Sequence, residues 1–300
     1  MPIAKPETMT LAGVPTRFML AGPAGAPKVA FLHGGVPGVT PYCSGLHIWG
    51  ASLAPFAADR RLLVPDLPGS GGTHVAGGAA PTVDVMVRHA RALLEALSFH
   101  PCHIVGHDVG ALVALAIAIE APALVDSVTV VASAPASPTG DMVQNLTLLN
   151  PPLPLWSRES QAWALERLSY AHQHIDDETL DACVAAASGE PHRQAVAALS
   201  GANLRKIFVP SVGKAKTRFF EVCRTDGMPV PVQAVWATND PLTTEDHGFW
   251  VFRLVAQKQR AAQFHLINRA GSFPFREQTP QFHQIVAAFE DGLQRGHNRR

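Results

Sequence analysis

One carboxylate in this 300-residue chain stands where reactive groups are commonly presented. Asp108 sits in Gly106-His107-Asp108-Val109-Gly110, between the apolar run Cys102–Gly106 and the almost wholly apolar run Ala111–Ile119. The first run reads as a strand and the second as a helix. A residue held at positive φ in such a junction needs small neighbours two places before and two after, and the glycines supply them. Its side chain then stands clear of the sheet at the positive end of the helix. A carboxylate with an ordinary pKa of about 3.9 is ionised at neutral pH and needs no base to attack an alkyl carbon. Such an attack leaves an ester on Asp108, and the same group can instead serve as a general acid or base. A plainer reading makes the pentapeptide a glycine-rich turn with a helix-capping aspartate. A second glycine pair, in His33-Gly34-Gly35, follows the apolar run Lys28–Leu32.

These residues need a frame. Thr16–Leu20, Lys28–Leu32, Arg61–Val64, Cys102–Gly106 and Ser127–Val131 are short apolar runs bounded by turn residues and read as strands. Leu46–Phe56 reads as a helix, and Pro81-Thr82 opens another running to Leu97, with Met86, Ala90, Leu93 and Leu97 along one face. Strands apolar on both faces belong in a parallel sheet covered by helices. From about 134 to 229 the alternation stops. Ser160–Leu168, Glu178–Ala187 and Pro191–Asn203 are the best helices there, and no strand is convincing. Strand Val232–Trp236, helix Glu245–Gln257, strand Gln263–Ile267 and helix Gln278–Leu293 then resume the pattern. The expected organisation is an α/β core over 1–133 and 230–300 with a helical cap over 134–229.

Three segments occur in an order that resembles the α/β-hydrolase superfamily. The Asp108 pentapeptide resembles its nucleophile elbow. Phe31-Leu32-His33-Gly34-Gly35-Val36-Pro37-Gly38 resembles the oxyanion loop of the meta-cleavage-product hydrolases, and Val64-Pro65-Asp66-Leu67-Pro68-Gly69-Ser70-Gly71 resembles the turn after the next strand. The resemblance implies an α/β-hydrolase fold with a mostly parallel sheet and an inserted lid, and it covers about 29–135 and 230–293. Asp at the nucleophile position is similar to haloalkane and fluoroacetate dehalogenases and to epoxide hydrolases. Trp236-Ala237-Thr238-Asn239-Asp240-Pro241 resembles the turn carrying the triad acid, which makes Asp240 that acid. In Asn268-Arg269-Ala270-Gly271-Ser272-Phe273-Pro274, the family's histidine slot holds Ser272.

The implied triad is therefore Asp108–Ser272–Asp240, without a histidine. A serine hydroxyl is far too weak a base to activate water, and losing such a member costs roughly 10⁴–10⁶-fold in rate. His107, His247, His265 and His33 read as structural or surface groups. His172 and His174 stand in the lid, where they can line the pocket from above. The expected binding residues are His33, Gly34, Gly35, Val109, Trp156, Tyr170 and His172. Val109 stands where a dehalogenase carries tryptophan, and Tyr170 is the sole lid tyrosine; both weaken those particular matches. Trp156, Trp163, Phe219 and Phe220 can form an apolar pocket or simply the lid's own core. The function expected is an enzyme acting on a small organic molecule, of carbonyl-containing or ring-fission type, with Asp108 as nucleophile or as acid/base. A lyase, isomerase or cyclase on the same fold, and a ligand-binding pseudo-enzyme in which the missing histidine is a lost or deliberately replaced one, stand as alternatives.

Composition narrows the partners. Lys+Arg and Asp+Glu are 24 each, which leaves no basic footprint for nucleic acid or an anionic membrane. Apolar residues at 47% and charged residues at 16% suit a large core. Four cysteines without a C-x-x-C pair read as reduced thiols of a cytoplasmic protein, and the first thirty residues carry no signal-peptide pattern. There is no Rossmann fingerprint, P-loop, H-E-x-x-H or Cys/His metal spacing, so no cofactor or metal is expected. The partner expected is a small-molecule substrate; a homodimer is compatible with the sequence but not indicated by it.

Overall fold

The long apolar runs form the middle of an eight-stranded sheet. A computed structural model describes residues 4–138 and 148–297. Its strands are β1 (Glu7–Leu11), β2 (Val14–Ala21), β3 (Lys28–Leu32), β4 (Arg61–Pro65), β5 (Cys102–His107), β6 (Val125–Val131), β7 (Val232–Ala237) and β8 (Gln263–Ile267). They are ordered β1-β2-β4-β3-β5-β6-β7-β8. β1 and β2 pair antiparallel, as do β2 and β4, and the remaining neighbours are parallel. All six residues of β5 and of β7 are buried, as strands covered on both faces require. The β1 strand is the element that the sequence hides: ETMTL is mostly exposed and takes its conformation from pairing with β2.

The helices are α1 (Leu53–Ala57), α2 (Val83–Ala96), α3 (Val109–Glu120), α4 (Arg158–Leu168), α5 (Asp177–Ser188), α6 (Glu190–Leu199), α7 (Val209–Arg224), α8 (Glu245–Ala256), α9 (Pro274–Glu277) and α10 (Thr279–His297). The Thr82 hydroxyl accepts a hydrogen bond from the Val85 N–H and caps α2. The single helix expected over Leu46–Phe56 is instead a 3₁₀ segment, Leu46–Ser52, followed by the short α1. Gly50 breaks it at φ 48°. One face of the sheet packs on α2, α3, α7 and α8, and the other on α1, α10 and the 3₁₀ segment. Ala164, Leu165 and Leu168 of α4 and Cys183 of α5 join the second cluster. Between β6 and β7 the described residues contain no strand. The last helix of that stretch, α7, lies against α2 and α3, with Phe219 and Val222 in the sheet-face core. Phe219 thus packs in the core of the first face, which corrects its placement as a lid aromatic. No helix among the described residues is long and apolar enough to cross a membrane.

Candidate active site

The parallel strands deliver their following loops to one edge of the sheet. Asp108 follows β5, His33–Gly35 follow β3, Asp240 follows β7 and Ser272 follows β8. Asp108 has φ 48° and ψ −118°. A non-glycine residue in such a region costs about 1–3 kcal/mol and is held only by its surroundings. Here its N–H donates to Val131 O at 3.1 Å, and its carbonyl accepts from Ser133 Oγ at 2.6 Å. A Cβ on Gly110 would lie 2.3 Å from Leu32 O, and one on Gly106 would lie 2.5 Å from Ala111 Cα. The small-residue requirement inferred from the pentapeptide is therefore a matter of backbone against backbone.

The Asp108 carboxylate is held by the amides that flank it. Oδ2 accepts from the Gly35 N–H at 3.0 Å. Burial pushes the Asp108 pKa up, opposed by hydrogen bonds from the Gly35 and Val109 amides and by the nearby His33. Gly34 makes this approach possible, since a Cβ there would meet Asp108 Cβ at 2.6 Å. Among the described residues no side chain hydrogen-bonds this carboxylate, which meets the two backbone amides. His33 is fully buried and structural: Nε2 accepts from the Leu67 N–H at 2.9 Å and Nδ1 lies 2.8 Å from Gly34 O. The turn after β4 supports it. Asp66 accepts from Leu46 N at 2.6 Å, Gly72 N at 2.8 Å and Arg17 Nη1 at 3.2 Å.

Asp240 is 4% exposed and accepts four hydrogen bonds. Oδ1 takes Leu242 N at 2.9 Å, Thr243 N at 3.2 Å and Ser272 Oγ at 2.6 Å, while Oδ2 takes Thr243 Oγ1 at 2.6 Å. Burial raises its pKa, and the Ser272 and Thr243 hydrogen bonds oppose that rise. The loops after β7 and β8 are tied by Thr238 N to Ile267 O and Asn239 N to Ala270 O, both at 3.0 Å. That tie sets Ser272 beside Asp240.

A cavity of about 40 Å³, room for about three waters, is lined by Asp108, Asp240 and Ser272 together with Thr40, Tyr42, His107, Ala132, Ala134, Leu148, Leu168, Leu242 and Thr243. Three residues singled out from the sequence thus meet at one cavity. No histidine hydrogen-bonds either carboxylate among the described residues. His107 turns from Asp108 to the Ser272 turn, where Nε2 donates to Ser272 O at 2.9 Å; its ring packs edge-on to Phe275. Burial lowers its pKa to about 4, so the ring is neutral.

Other expected binding residues lie elsewhere. Tyr170 is 46% exposed, with its ring under Arg269, and His172 is exposed. Neither lines the cavity. His174 instead meets Ser169 Oγ at 2.9 Å and accepts from Arg276 Nε at 3.1 Å. Trp156 donates to Thr40 O at 3.2 Å and packs edge-on to His192, one residue back from the cavity wall. Val109 is buried at the start of α3 and offers its amide to Asp108. Sequence reasoning missed Tyr42 and Thr243. Thr243 had a signal, because Asp-x-x-Thr closes an Asx-turn in which the aspartate accepts from amides two and three residues on. Tyr42 had none; a long loop after β3 carries it there. Among the described residues no group of three or more His, Cys, Asp or Glu could hold a metal.

This sheet order, with a positive-φ residue between two glycines after the fifth strand and an amide facing it from the loop after the third, defines a hydrolase-type α/β enzyme. Residues 29–284 match the alpha/beta hydrolase family, and the chain belongs to it. A 2-hydroxymuconate semialdehyde hydrolase of Pseudomonas sp. (strain CF600) is 34% identical over 126 residues, 42% of each chain. The chain therefore matches about two-fifths of that relative's length. A 2-hydroxy-6-oxononadienedioate/2-hydroxy-6-oxononatrienedioate hydrolase of Cupriavidus pinatubonensis (strain JMP 134 / LMG 1197) is 24% identical over 271 residues, covering 89% of this chain and 87% of that one. Among solved structures, a mutant meta-cleavage product hydrolase from Pseudomonas fluorescens IP01 superposes with TM-score 0.75 at 21% identity, covering 97% of this chain and 98% of that one.

Proposed function

We propose that the protein acts on a small, carbonyl-bearing organic molecule, with Asp108 as the general acid/base that removes and returns a proton. The observation that carries this reading is the arrangement of one carboxylate: Oδ2 is fixed by the Gly35 amide, and no described side chain hydrogen-bonds the group where it lines the cavity. A carboxylate fixed by backbone amides and lining a cavity is positioned for proton transfer, and burial raises its pKa. The donors that a tetrahedral oxyanion would need are already occupied by Asp108 itself, which disfavours an acyl-transfer route. With Ser272 in the histidine slot, nothing beside Asp108 activates water, so an ester on Asp108 would not turn over. Asp240 and Ser272 act as positioning residues. Two of the relatives are named for carbonyl compounds, a semialdehyde and an oxo-dienedioate, which supports a carbonyl substrate by kinship.

Hydroxyacetone, aminoacetone and pyruvate in D₂O test the reading, with exchange of the protons beside the carbonyl followed by NMR. The expected result is enzyme-dependent exchange of at least one of them, abolished in Asp108→Asn. The second reading, covalent attack, draws on the same geometry, because the Gly35 amide would also hold the carbonyl oxygen of an ester. Intact-mass spectrometry after incubation with small haloalkanes and epoxides separates the two. A stable adduct on Asp108 would replace the acid/base reading. No exchange and no adduct, with a ligand still bound, would leave a binding protein.

A further inference from the structure

The cavity offers a ligand acceptors and almost no donors. The hydroxyls of Ser272 and Thr243 both donate to Asp240. The Thr40 hydroxyl faces Val36 O at 3.2 Å and Tyr42 O at 3.0 Å. The one ring N–H of neutral His107 is used on Ser272 O, and its buried Nδ1 has no partner. That leaves the Asp108 carboxylate and the lone pairs of the committed hydroxyls as acceptors facing the cavity. Among the described residues the uncommitted side-chain donor is the hydroxyl of Tyr42, a residue 4% exposed whose ring stands edge-on to Phe273. The charge is equally one-sided. Two carboxylates line the cavity and no Lys or Arg does. Neither carboxylate has an ion-pair partner among the described residues. Residues 139–147, between wall residues Ala134 and Leu148, contain no Lys, Arg or His in sequence.

A ligand satisfies these groups if it brings N–H donors and positive charge. Opposite charge near a buried carboxylate favours its ionised form, while a second anion disfavours it. We infer that the cavity takes a small protonated nitrogen compound, an alkylammonium or an imidazolium, placed between the carboxylates of Asp108 and Asp240 with Ser272 beside it. The inference rests on reading this cavity as the active site. It makes the substrate of the proposed reaction a carbonyl compound bearing a protonated nitrogen, with the Tyr42 hydroxyl left to donate to the carbonyl oxygen. It also sets this chain apart from the relative named for a dienedioate, a dianion.

Equilibrium binding tests it independently of turnover. The full chain is titrated at about pH 6, where imidazole is mostly charged, with methylammonium chloride, imidazolium chloride and sodium acetate at fixed ionic strength. Chemical shifts and the thermal midpoint are followed. Both cations are expected to saturate and to raise the midpoint, as a ligand of the native state must, and acetate is expected to do neither. Asp108→Asn should weaken cation binding by at least about tenfold. Ser272→His, which places an imidazole in the same space, should abolish it. Acetate binding as tightly as the cations, no saturation by either cation, or cation affinity unchanged in Asp108→Asn would each overturn the inference. If Asp108→Asn does not fold, Ser272→His decides alone: retained cation binding overturns the inference. Cation binding without any proton exchange would sink the acid/base role and leave this inference standing.

Discussion

Asp108 carries a charge in a place that is poor for stability. Its pKa is raised by burial, so folding disfavours the ionised form relative to the unfolded chain. A carboxyl whose folded pKa lies above its unfolded value stabilises most below the unfolded value, and that contribution is lost as pH rises through the folded one. Asp108→Asn is therefore expected to unfold at higher urea than the parent at pH 8, by about 1 kcal/mol, with the gap closing towards pH 4. Activity should run the other way, because only the ionised carboxylate accepts a proton. The rate of exchange should fall as pH drops through a value above the ordinary carboxylate range, and urea titrations beside pH–rate profiles check both. A variant that is less stable than the parent at pH 8 would mean that the amide hydrogen bonds, rather than the buried charge, dominate at this position. The Ser272–Asp240 pair is a different case. At 2.6 Å and buried, it satisfies a carboxylate that would otherwise lack one of its four donors. Ser272→Ala should destabilise by about 1–3 kcal/mol, read as a lower denaturant midpoint, with Asp240 left one donor short.

At the scale of elements, the elbow is built from close backbone approaches, and a partly buried cation ties in the stretch between β6 and β7. Gly110→Ala would set a methyl 2.3 Å from Leu32 O. The strand and the helix must then separate, so a loss of about 3 kcal/mol or more is expected in urea titrations. Arg276 follows the Ser272 turn and reaches Ile48 O at 2.9 Å, and His174 O and Thr179 Oγ1 at 2.6 Å each. It thereby ties α9 to the 3₁₀ segment and to the start of α5. Next to it, Glu277 accepts from the amides of Tyr170, Ala171 and Gly271. Arg276→Met removes the fork, and limited proteolysis should then cut between α4 and α5 faster than in the parent. Core elements were legible because their residues serve one purpose: β5 is buried along its whole length and α3 is apolar as far as Glu120. Asp108 was legible for the same reason, since glycines two places either side announce a steric demand. β1 was not, because an edge strand paired on one side needs few apolar residues. Tyr42 and the Arg276 fork were not, because loop side chains acquire partners only when distant segments meet. His172 and Tyr170 are exposed and do not line this cavity, since position in the stretch between β6 and β7 says nothing about which way a side chain turns.

Across the whole molecule, one buried ion pair links the first third of the chain to its last helix. Arg60, just before β4, faces Glu290 of α10 at 3.5 Å and donates to Asp291 Oδ1 at 2.7 Å. Glu290 is 5% exposed, and its Oε2 and Arg60 Nε make no hydrogen bond despite their proximity. Proximity of charge without a bond leaves much of the desolvation cost uncompensated, and burial lifts the Glu290 pKa to about 7. The sign follows from the direction of that shift. The stabilising contribution is complete below the unfolded carboxylate value of about 4.3 and is lost as pH rises through about 7. The chain should therefore lose stability between about pH 5 and pH 8, by at most about 3 kcal/mol from this group. His103 and His107, whose pKa values are lowered by burial, act oppositely, gaining stability as pH rises through the unfolded histidine range. The raw pH curve thus mixes both trends. Glu290→Gln isolates one of them. It keeps shape and hydrogen-bonding capacity but cannot ionise, so the parent-minus-variant difference should grow against the parent from pH 5 to pH 8 in paired urea titrations. A difference independent of pH would show that Arg60 holds Glu290 ionised throughout, and that the pair closes the molecule as an ordinary salt bridge.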